Sequence, residues 1–99
     1  MKLIAIQPLR DFYLTYRDAE QPIKSWVKEV KKANWNTSAD VKATFKAASI
    51  LKSRRVVFNI KGNDYRIVCA IAYQFGAVYV KFVGTHQEYN EINSNKVGE

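Results

Sequence analysis

The sequence is poor in the residues that build metal sites and nucleophilic triads. Its 99 residues contain a single cysteine, Cys69, and a single histidine, His86. One cysteine excludes an internal disulfide bond, and this pair alone excludes a structural zinc site in practice. The nine acidic residues are scattered, without the spacing of a two-carboxylate metal site. We therefore expect neither a metal nor a cofactor.

Long hydrophobic runs are also missing. No apolar segment approaches the ~20 residues that cross a bilayer, and no basic leader followed by an apolar run opens the chain. None of the four glycines belongs to a loop of the kind that cradles phosphates. We therefore expect a single domain over residues 1–99 that is cytoplasmic and does not contact a membrane.

What the chain has in excess is positive charge. Lysine and arginine number 16 against 9 acidic residues, which gives a net charge of +7. This sign favours a polyanionic partner, with nucleic acid ahead of an anionic membrane. The alternative is that the charge only keeps a small protein soluble.

Three β-rich segments follow one another in the C-terminal half, at 56–60, 65–73 and 77–83. The connections Lys61–Asp64 and Gln74–Gly76 are short and contain glycine, which suits tight turns. Since connections this short join only antiparallel neighbours, the pattern predicts a three-stranded meander.

Alternate residues of a strand point to opposite faces, so the meander has a core face and a second face. The bulky apolar set is predicted to face the core: Val56, Phe58, Ile60, Ile67, Cys69, Ile71, Val78, Val80 and Phe82. The second face would carry Arg55, Asn59, Arg66 and Lys81, a basic surface on a rigid sheet. Cys69 is then a small buried residue rather than a nucleophile.

The N-terminal half predicts one edge strand and helices. Residues 2–6 are β-rich and too distant in sequence to form a hairpin with the meander. Apolar residues spaced three and four apart predict a helix from Pro8 and a second helix from Glu20 or Pro22. Thr37–Asp40 resembles a capping box that starts a short third helix. We expect an α+β fold with the helices packed on one sheet face. We also expect a polar tail from Asn90 that is frayed apart from a helical turn near Tyr89 to Ile92.

The reactive side chains left by these exclusions are cations, one imidazole and one phenol: Arg55, Lys61, Arg66, Lys81, His86 and Tyr89. Such a set can cleave RNA without a metal by activating the ribose 2′-hydroxyl against the adjacent phosphate. Cations would stabilise the charge of the transition state, and His86 or Tyr89 would transfer protons. The competing interpretations are edge protection for Lys81 and simple packing for Tyr89.

Two segments, 57–68 (VFNIKGNDYRIV) and 82–89 (FVGTHQEY), resemble the HigB-type toxins of the RelE superfamily. Ser25-Trp26, Ala33–Trp35 and Ala39–Lys42 add to the likeness, which covers nearly the whole chain. The resemblance implies a RelE-like fold, a small antiparallel sheet with two N-terminal helices across one face. It also implies a ribosome-dependent mRNA endonuclease of a type II toxin–antitoxin system, neutralised by a HigA-type helix-turn-helix antitoxin.

The resemblance also implies site residues. Arg66 matches the family's Tyr-Arg strand motif, Lys81 a strand cation, and His86 and Tyr89 the Thr-His-x-Glu-Tyr motif. Lys61 and Asn63 match the Gly-Asn turn, and with Arg55 and Asn59 they are expected to bind RNA or the ribosome. Lys81 departs from relatives that carry arginine, whose planar fork binds phosphate through two donors. Which residue is the acid and which the base differs across the superfamily.

Two other functions remain open at this point. A small basic sheet with Tyr73 and Tyr79 could bind RNA or DNA without cutting it. The chain could also be an inactivated toxin homologue that is kept for its contact with an antitoxin.

Overall fold

The computed structural model describes residues 1–98. The fold is α+β, as predicted, and its elements follow one another along the chain. They are β1 (Lys2–Ile4), α1 (Gln7–Thr15), α2 (Glu20–Lys32), α3 (Ser38–Thr44), β2 (Ser49–Ile50), β3 (Arg55–Ile60), β4 (Tyr65–Ala72), β5 (Ala77–Thr85) and α4 (His86–Asn90), with 3₁₀ turns at Arg17–Ala19 and Tyr73–Phe75.

The sheet has five strands in the order β1-β5-β4-β3-β2. The predicted meander is confirmed, because β3, β4 and β5 pair antiparallel in sequence order. The edge position of β1 is also confirmed, but β1 runs parallel to β5. The expectation of a purely antiparallel sheet is therefore wrong: the helices between β1 and the meander form the long crossover that parallel pairing requires. The two-residue strand β2 was not predicted.

The helices cover one face of the sheet and complete the core. In α2 the side chains of Ile23, Trp26 and Val30 are buried. The ring of Trp26 lies edge-on to Phe58 of β3, with 5.2 Å between ring centroids. Thr37 caps α3 through the predicted capping box with Asp40. Within residues 1–98, none of the helices has the length and hydropathy to cross a membrane.

Cys69 lies at the centre of this core and is fully buried. Burial disfavours the charged thiolate and raises the pKa of the thiol well above its ordinary range. The prediction of a small buried residue is confirmed, and a thiol held neutral in this way is a poor nucleophile.

A β-bulge in β5 changes which side chains face the core. The β4–β5 register shifts between Val68 and Cys69, so that Val68 pairs with Phe82 while Cys69 pairs with Val80. Lys81 is the extra residue, and the alternation reverses beyond it. The prediction that Phe82 faces the core is therefore wrong. Val83 packs against the core instead, and Phe82 lies on the second face, where its ring covers Gly84.

The C-terminal tail, residues 91–98, covers part of the second face. A guanidinium nitrogen of Arg55 donates to the carbonyls of Ser94 and Val97, at 3.3 and 2.6 Å. Arg55 is only 5% exposed, and Val57 and Val68 on the same face are buried as well. The predictions of an exposed Arg55 and a frayed tail are both wrong, because the tail carbonyls supply the acceptors that a buried cation needs.

Candidate functional site

The single histidine is fixed where β5 passes into α4. Thr85 is the N-cap of α4, and its side chain accepts a hydrogen bond from the Glu88 amide. Glu88 in turn accepts from the Thr85 amide at 2.8 Å. His86 is the first residue of the helix, and its amide donates to the Asp64 carbonyl at 2.9 Å. These contacts set His86 beside the β3–β4 turn.

Arg66 lies beside His86 and is almost covered. One guanidinium nitrogen donates to the carbonyls of Asn63, at 2.7 Å, and Tyr65, at 3.3 Å. The other terminal nitrogen is 3.3 Å from Nδ1 of His86. The residue is 8% exposed, and none of the ion pairs within residues 1–98 includes it. A buried cation without a carboxylate retains its full attraction for an incoming anion.

The Nδ1 atom of His86 lies between an acceptor and a donor. Nδ1 lies 3.1 Å from the Asn63 carbonyl oxygen, which can only accept. Nδ1 also lies 3.3 Å from a nitrogen of Arg66, which can only donate, so the carbonyl favours a protonated Nδ1 and the guanidinium favours an unprotonated one. Nε2 makes no hydrogen bond to residues 1–98, and the side chain is exposed. In the neutral tautomer that is protonated at Nδ1, Nε2 carries a free lone pair, which is the form of a general base.

Two further predicted residues complete the cluster. The Tyr89 ring, one turn along α4, lies 5.6 Å from the guanidinium carbon of Arg66 in a cation–π contact. Asn59 pairs with Arg66 across the sheet. Its amide donates to the Asn63 side chain at 3.2 Å, which steadies the turn. The structure thus brings together Arg66, His86, Tyr89, Asn59 and Asn63.

The other predicted cations lie outside this cluster. Lys81, in the bulge, donates to the Gly98 carbonyl at 3.4 Å and lies 5.9 Å from the centre of the Tyr79 ring. Lys61 pairs with Asp18 at 3.0 Å and with Asp64 at 3.2 Å. Arg55 is held under the tail. Of the two predicted lysines, Lys81 is the one whose ammonium has no carboxylate partner among residues 1–98.

An open cleft of about 730 Å³ borders His86, and neither Arg66 nor Tyr89 is among the residues that line it. It is lined in part by Asp64, Glu88 and Glu91. Three carboxylates repel phosphate, so a polyanion should approach His86 from the side of Arg66 and Tyr89. Sequence reasoning missed this acidic border, because these three residues come together only when the β3–β4 turn meets α4.

A second polar cluster, formed by Asp18, Lys61 and Tyr65, lies at the β3–β4 turn. The Tyr65 hydroxyl donates to the Asp18 carboxylate in a short hydrogen bond, and Lys61 pairs with the same carboxylate. The hydrogen bond from Tyr65, followed by that from Lys61, lowers the pKa of Asp18. The same bond to Asp18 raises the pKa of Tyr65 from 10.0 to about 12. The cluster ties the first 3₁₀ turn to the start of β4, one residue before Arg66.

This cluster predicts a loss of stability at alkaline pH. Because the folded pKa of Tyr65 is raised, the contribution of its hydroxyl is fully present below pH 10 and disappears as the pH rises towards 12. Urea unfolding of the wild type and of Tyr65→Phe should therefore converge over this window. The other ionisable groups are present in both proteins, so their contributions cancel in the difference. A difference between the two proteins that stays constant from neutral pH to pH 12 would contradict the assignment.

The groups that could bind a ligand in this cluster are cationic and aromatic. Within residues 1–98, no three histidine, cysteine, aspartate or glutamate side chains lie close enough to hold a metal ion together. One carboxylate of the His86 cleft, that of Glu88, already accepts a hydrogen bond from the Thr85 amide at the start of α4. The groups that the cluster presents to a ligand are a guanidinium cation, an imidazole and a phenol.

Comparison with known proteins gives the same family that the sequence motifs resemble. Residues 19–92 match the HigB_toxin family, described as the RelE-like toxic component of a toxin–antitoxin system. The mRNA interferase toxin HigB of Escherichia coli K12 is 26% identical over 92 residues, which covers 91% of this chain and 88% of the relative. The proteins called mRNA interferase HigB of E. coli O157:H7 and Shigella flexneri match to the same extent.

Proposed function

The chain belongs to the HigB family of RelE-like toxins, and from this premise we propose that it is an endoribonuclease that cleaves translated mRNA. The observation that carries the proposal is the contact of Arg66 with both His86 and Tyr89 at one end of the sheet. These three residues belong to the motifs on which the family resemblance rests. Their chemistry suits the cleavage of a phosphodiester.

The reaction is transesterification within the RNA. A base removes the proton of the ribose 2′-hydroxyl, and the 2′-oxygen attacks the adjacent phosphorus. The bond from phosphorus to the 5′-oxygen of the next nucleotide breaks, and that oxygen takes a proton. The products are a 2′,3′-cyclic phosphate and a 5′-hydroxyl, and the balance of atoms requires neither metal nor water.

Each residue of the cluster has a defined part. Arg66 stabilises the negative charge that develops on the phosphorane, through the N–H groups that do not bind the turn carbonyls. His86 transfers a proton through Nε2, since Nδ1 faces the Asn63 carbonyl and the Arg66 guanidinium. The Tyr89 ring holds the guanidinium plane in place, and its hydroxyl is the second candidate for proton transfer.

The RNA path follows from the remaining charges. Asn59 and Asn63 border Arg66 and present amides to the ribose and bases. Lys81 lies further along the same face and attracts a phosphate upstream or downstream of the cut. The charge of Lys61 is shared with Asp18 and Asp64, so its contact with RNA should be weak. Arg55 acts indirectly, by fixing the tail.

Two partners accompany this function. The net charge of +7 favours association with the ribosome, where mRNA is presented to the site in an extended form. A toxin of this family is paired with an antitoxin, and a HigA-type helix-turn-helix protein is the partner that the resemblance implies. Binding of the antitoxin would keep RNA away from Arg66 and His86.

The test is cleavage by the purified chain. The protein is added to translating ribosomes carrying a defined mRNA, and to the same mRNA without ribosomes. We expect cuts within the translated region in the first mixture and much slower cleavage in the second. Binding of mRNA or ribosomes without any cuts would contradict the proposal and favour a non-catalytic binding module.

A further inference from the structure

The second face of the sheet ends in a groove that the proposed cleavage site does not use. It has a volume of about 520 Å³ and lies between the Ser53-Arg54 turn, the end of β4 and the 3₁₀ turn at Tyr73–Phe75. Its inner wall contains Ala70, which pairs with Tyr79. Ala70 is four residues beyond Arg66 on the same strand, about 13 Å along the sheet at ~3.3 Å per residue.

Two aromatic rings stand exposed at this groove. Phe75 is 78% exposed, more than any other large hydrophobic side chain in residues 1–98, and Tyr79 is 37% exposed. The turn that carries Phe75 is rigid, because the Gly76 amide donates to the Tyr73 carbonyl at 3.2 Å and the Lys2 amide donates to the Gly76 carbonyl at 2.7 Å. A ring held outward by a fixed turn loses little entropy when something stacks on it.

The groove is also cationic. Arg54 is exposed on its rim, and the Lys81 ammonium lies 5.9 Å from the centre of the Tyr79 ring. None of the side chains that line the groove within the described part of the chain is acidic. Neither Arg54 nor Lys81 belongs to an ion pair among residues 1–98. An aromatic surface edged by unpaired cations is the composition that binds single-stranded nucleic acid.

The backbone of the rim is strained in a way that favours a binding role. Ser53 and Arg54 both have left-handed backbone conformations, with φ of 57° and 59°. This conformation is unfavourable for a residue other than glycine. The strain is maintained because the Arg54 carbonyl accepts from the Ile71 amide at 2.8 Å. This conformation fixes the backbone that carries the Arg54 side chain.

We propose that this groove is a second RNA subsite, which stacks an unpaired base on Phe75 and Tyr79 and places the neighbouring phosphate at Arg54. The proposal rests on the proposed function only in taking the ligand to be the same polymer that is cut at Arg66. Lys81 lies between the two positions and contacts Gly98 of the tail. The tail covers the sheet beside it, so a strand of RNA that joins the cleavage site to the groove passes over the tail. The subsite would hold a base some nucleotides away from the scissile bond.

The test measures binding of a short unstructured RNA whose 2′-oxygens are methylated, so that it cannot be cut by attack of the 2′-hydroxyl. Its affinity is measured by fluorescence anisotropy at fixed salt. We expect Phe75→Ala to weaken binding about tenfold, since stacking on an aromatic side chain contributes on this scale. Phe75→Trp should retain the affinity, whereas Phe75→Leu should be as weak as the alanine variant because it keeps apolar area without a ring.

Two further variants separate this subsite from general effects. Leu14→Ala, which removes another exposed apolar side chain, 49% exposed on α1, should bind as the wild type does. Arg54→Gln should reduce the slope of log affinity against log salt by about 0.7, the value of one phosphate contact on a single strand. An unchanged slope would show that Arg54 does not contact a phosphate of the bound RNA.

The outcomes distinguish this proposal from the proposed function. If the wild type cuts translated mRNA but Phe75→Ala binds the methylated RNA as tightly as the wild type, the groove is not an RNA subsite. If Phe75→Ala loses affinity but the wild type cuts no mRNA, the subsite stands and the proposed function fails. Sedimentation that shows a wild-type dimer dissociated by Phe75→Ala, with RNA affinity unchanged, would assign the groove to self-association and overturn the proposal.

Discussion

Replacing Arg66 with alanine is expected to slow mRNA cleavage by roughly 10²–10³-fold, the usual effect of removing one group that stabilises transition-state charge. The reason is its position. The guanidinium contacts His86 and Tyr89, has no carboxylate partner within residues 1–98, and is only 8% exposed. Charge in such a shielded place acts on a phosphate with little competition from water.

The measurement is single-turnover cleavage on saturating ribosomes, beside a thermal melt that shows the variant to be folded. Arg66→Lys keeps the charge but loses the planar fork, so it should restore only part of the rate. Arg10→Ala, which removes an exposed arginine on α1, is the matched control and should cut as the wild type does. A folded Arg66→Ala protein that cleaves at the wild-type rate would exclude Arg66 from the reaction.

His86→Asn should lower the rate of cleavage by about 10²–10⁴-fold, the range for loss of a general acid or base. The asparagine amide can still donate from near the position of Nδ1 to the Asn63 carbonyl, so the local structure is kept. What disappears is Nε2, the nitrogen that makes no hydrogen bond to residues 1–98. Ribosome affinity should stay nearly unchanged, because proton transfer contributes to the transition state and not to binding.

Three companion variants give this result its meaning. His86→Gln puts an amide close to the place of Nε2, and it should be as slow as His86→Asn if a proton moves there. Recovery of the rate by glutamine would show that a hydrogen bond suffices and that His86 transfers no proton. Tyr89→Phe keeps the ring over Arg66 and should do much less harm. Gln87→Ala, one residue further along α4, is the neutral control.

Local signals predicted most of the fold. The meander, the edge position of β1 and the capping box at Thr37 each follow from short patterns of apolar, glycine and capping residues. The parallel direction of β1 could not be predicted, because it depends on how the helices carry the chain back to β5. The prediction that Phe82 faces the core was wrong for a related reason. A bulge at Lys81 breaks the two-residue alternation of side chains, and nothing in the composition of β5 indicates the bulge.

The candidate site was predictable where its residues are neighbours on the sheet or lie in one motif. Arg66, His86 and Tyr89 come together because β4 and β5 are adjacent and α4 follows β5 directly. Arg55 has the same strand parity as Asn59, yet the tail covers it through backbone carbonyls that carry no sequence signature. The ion pair of Lys61 with Asp18 could not be predicted, because Asp18 lies in a 3₁₀ turn far away in sequence.

The most direct test of the account is the chemistry of the cut ends. Messenger RNA cleaved on ribosomes by the purified chain is recovered, and the end groups at each cut are determined by mass spectrometry. Attack by the 2′-hydroxyl, with Arg66 and His86 as the acting groups, predicts a 2′,3′-cyclic phosphate on one fragment and a 5′-hydroxyl on the other. A 3′-hydroxyl facing a 5′-phosphate would show that water attacked instead, and the central claim would be wrong.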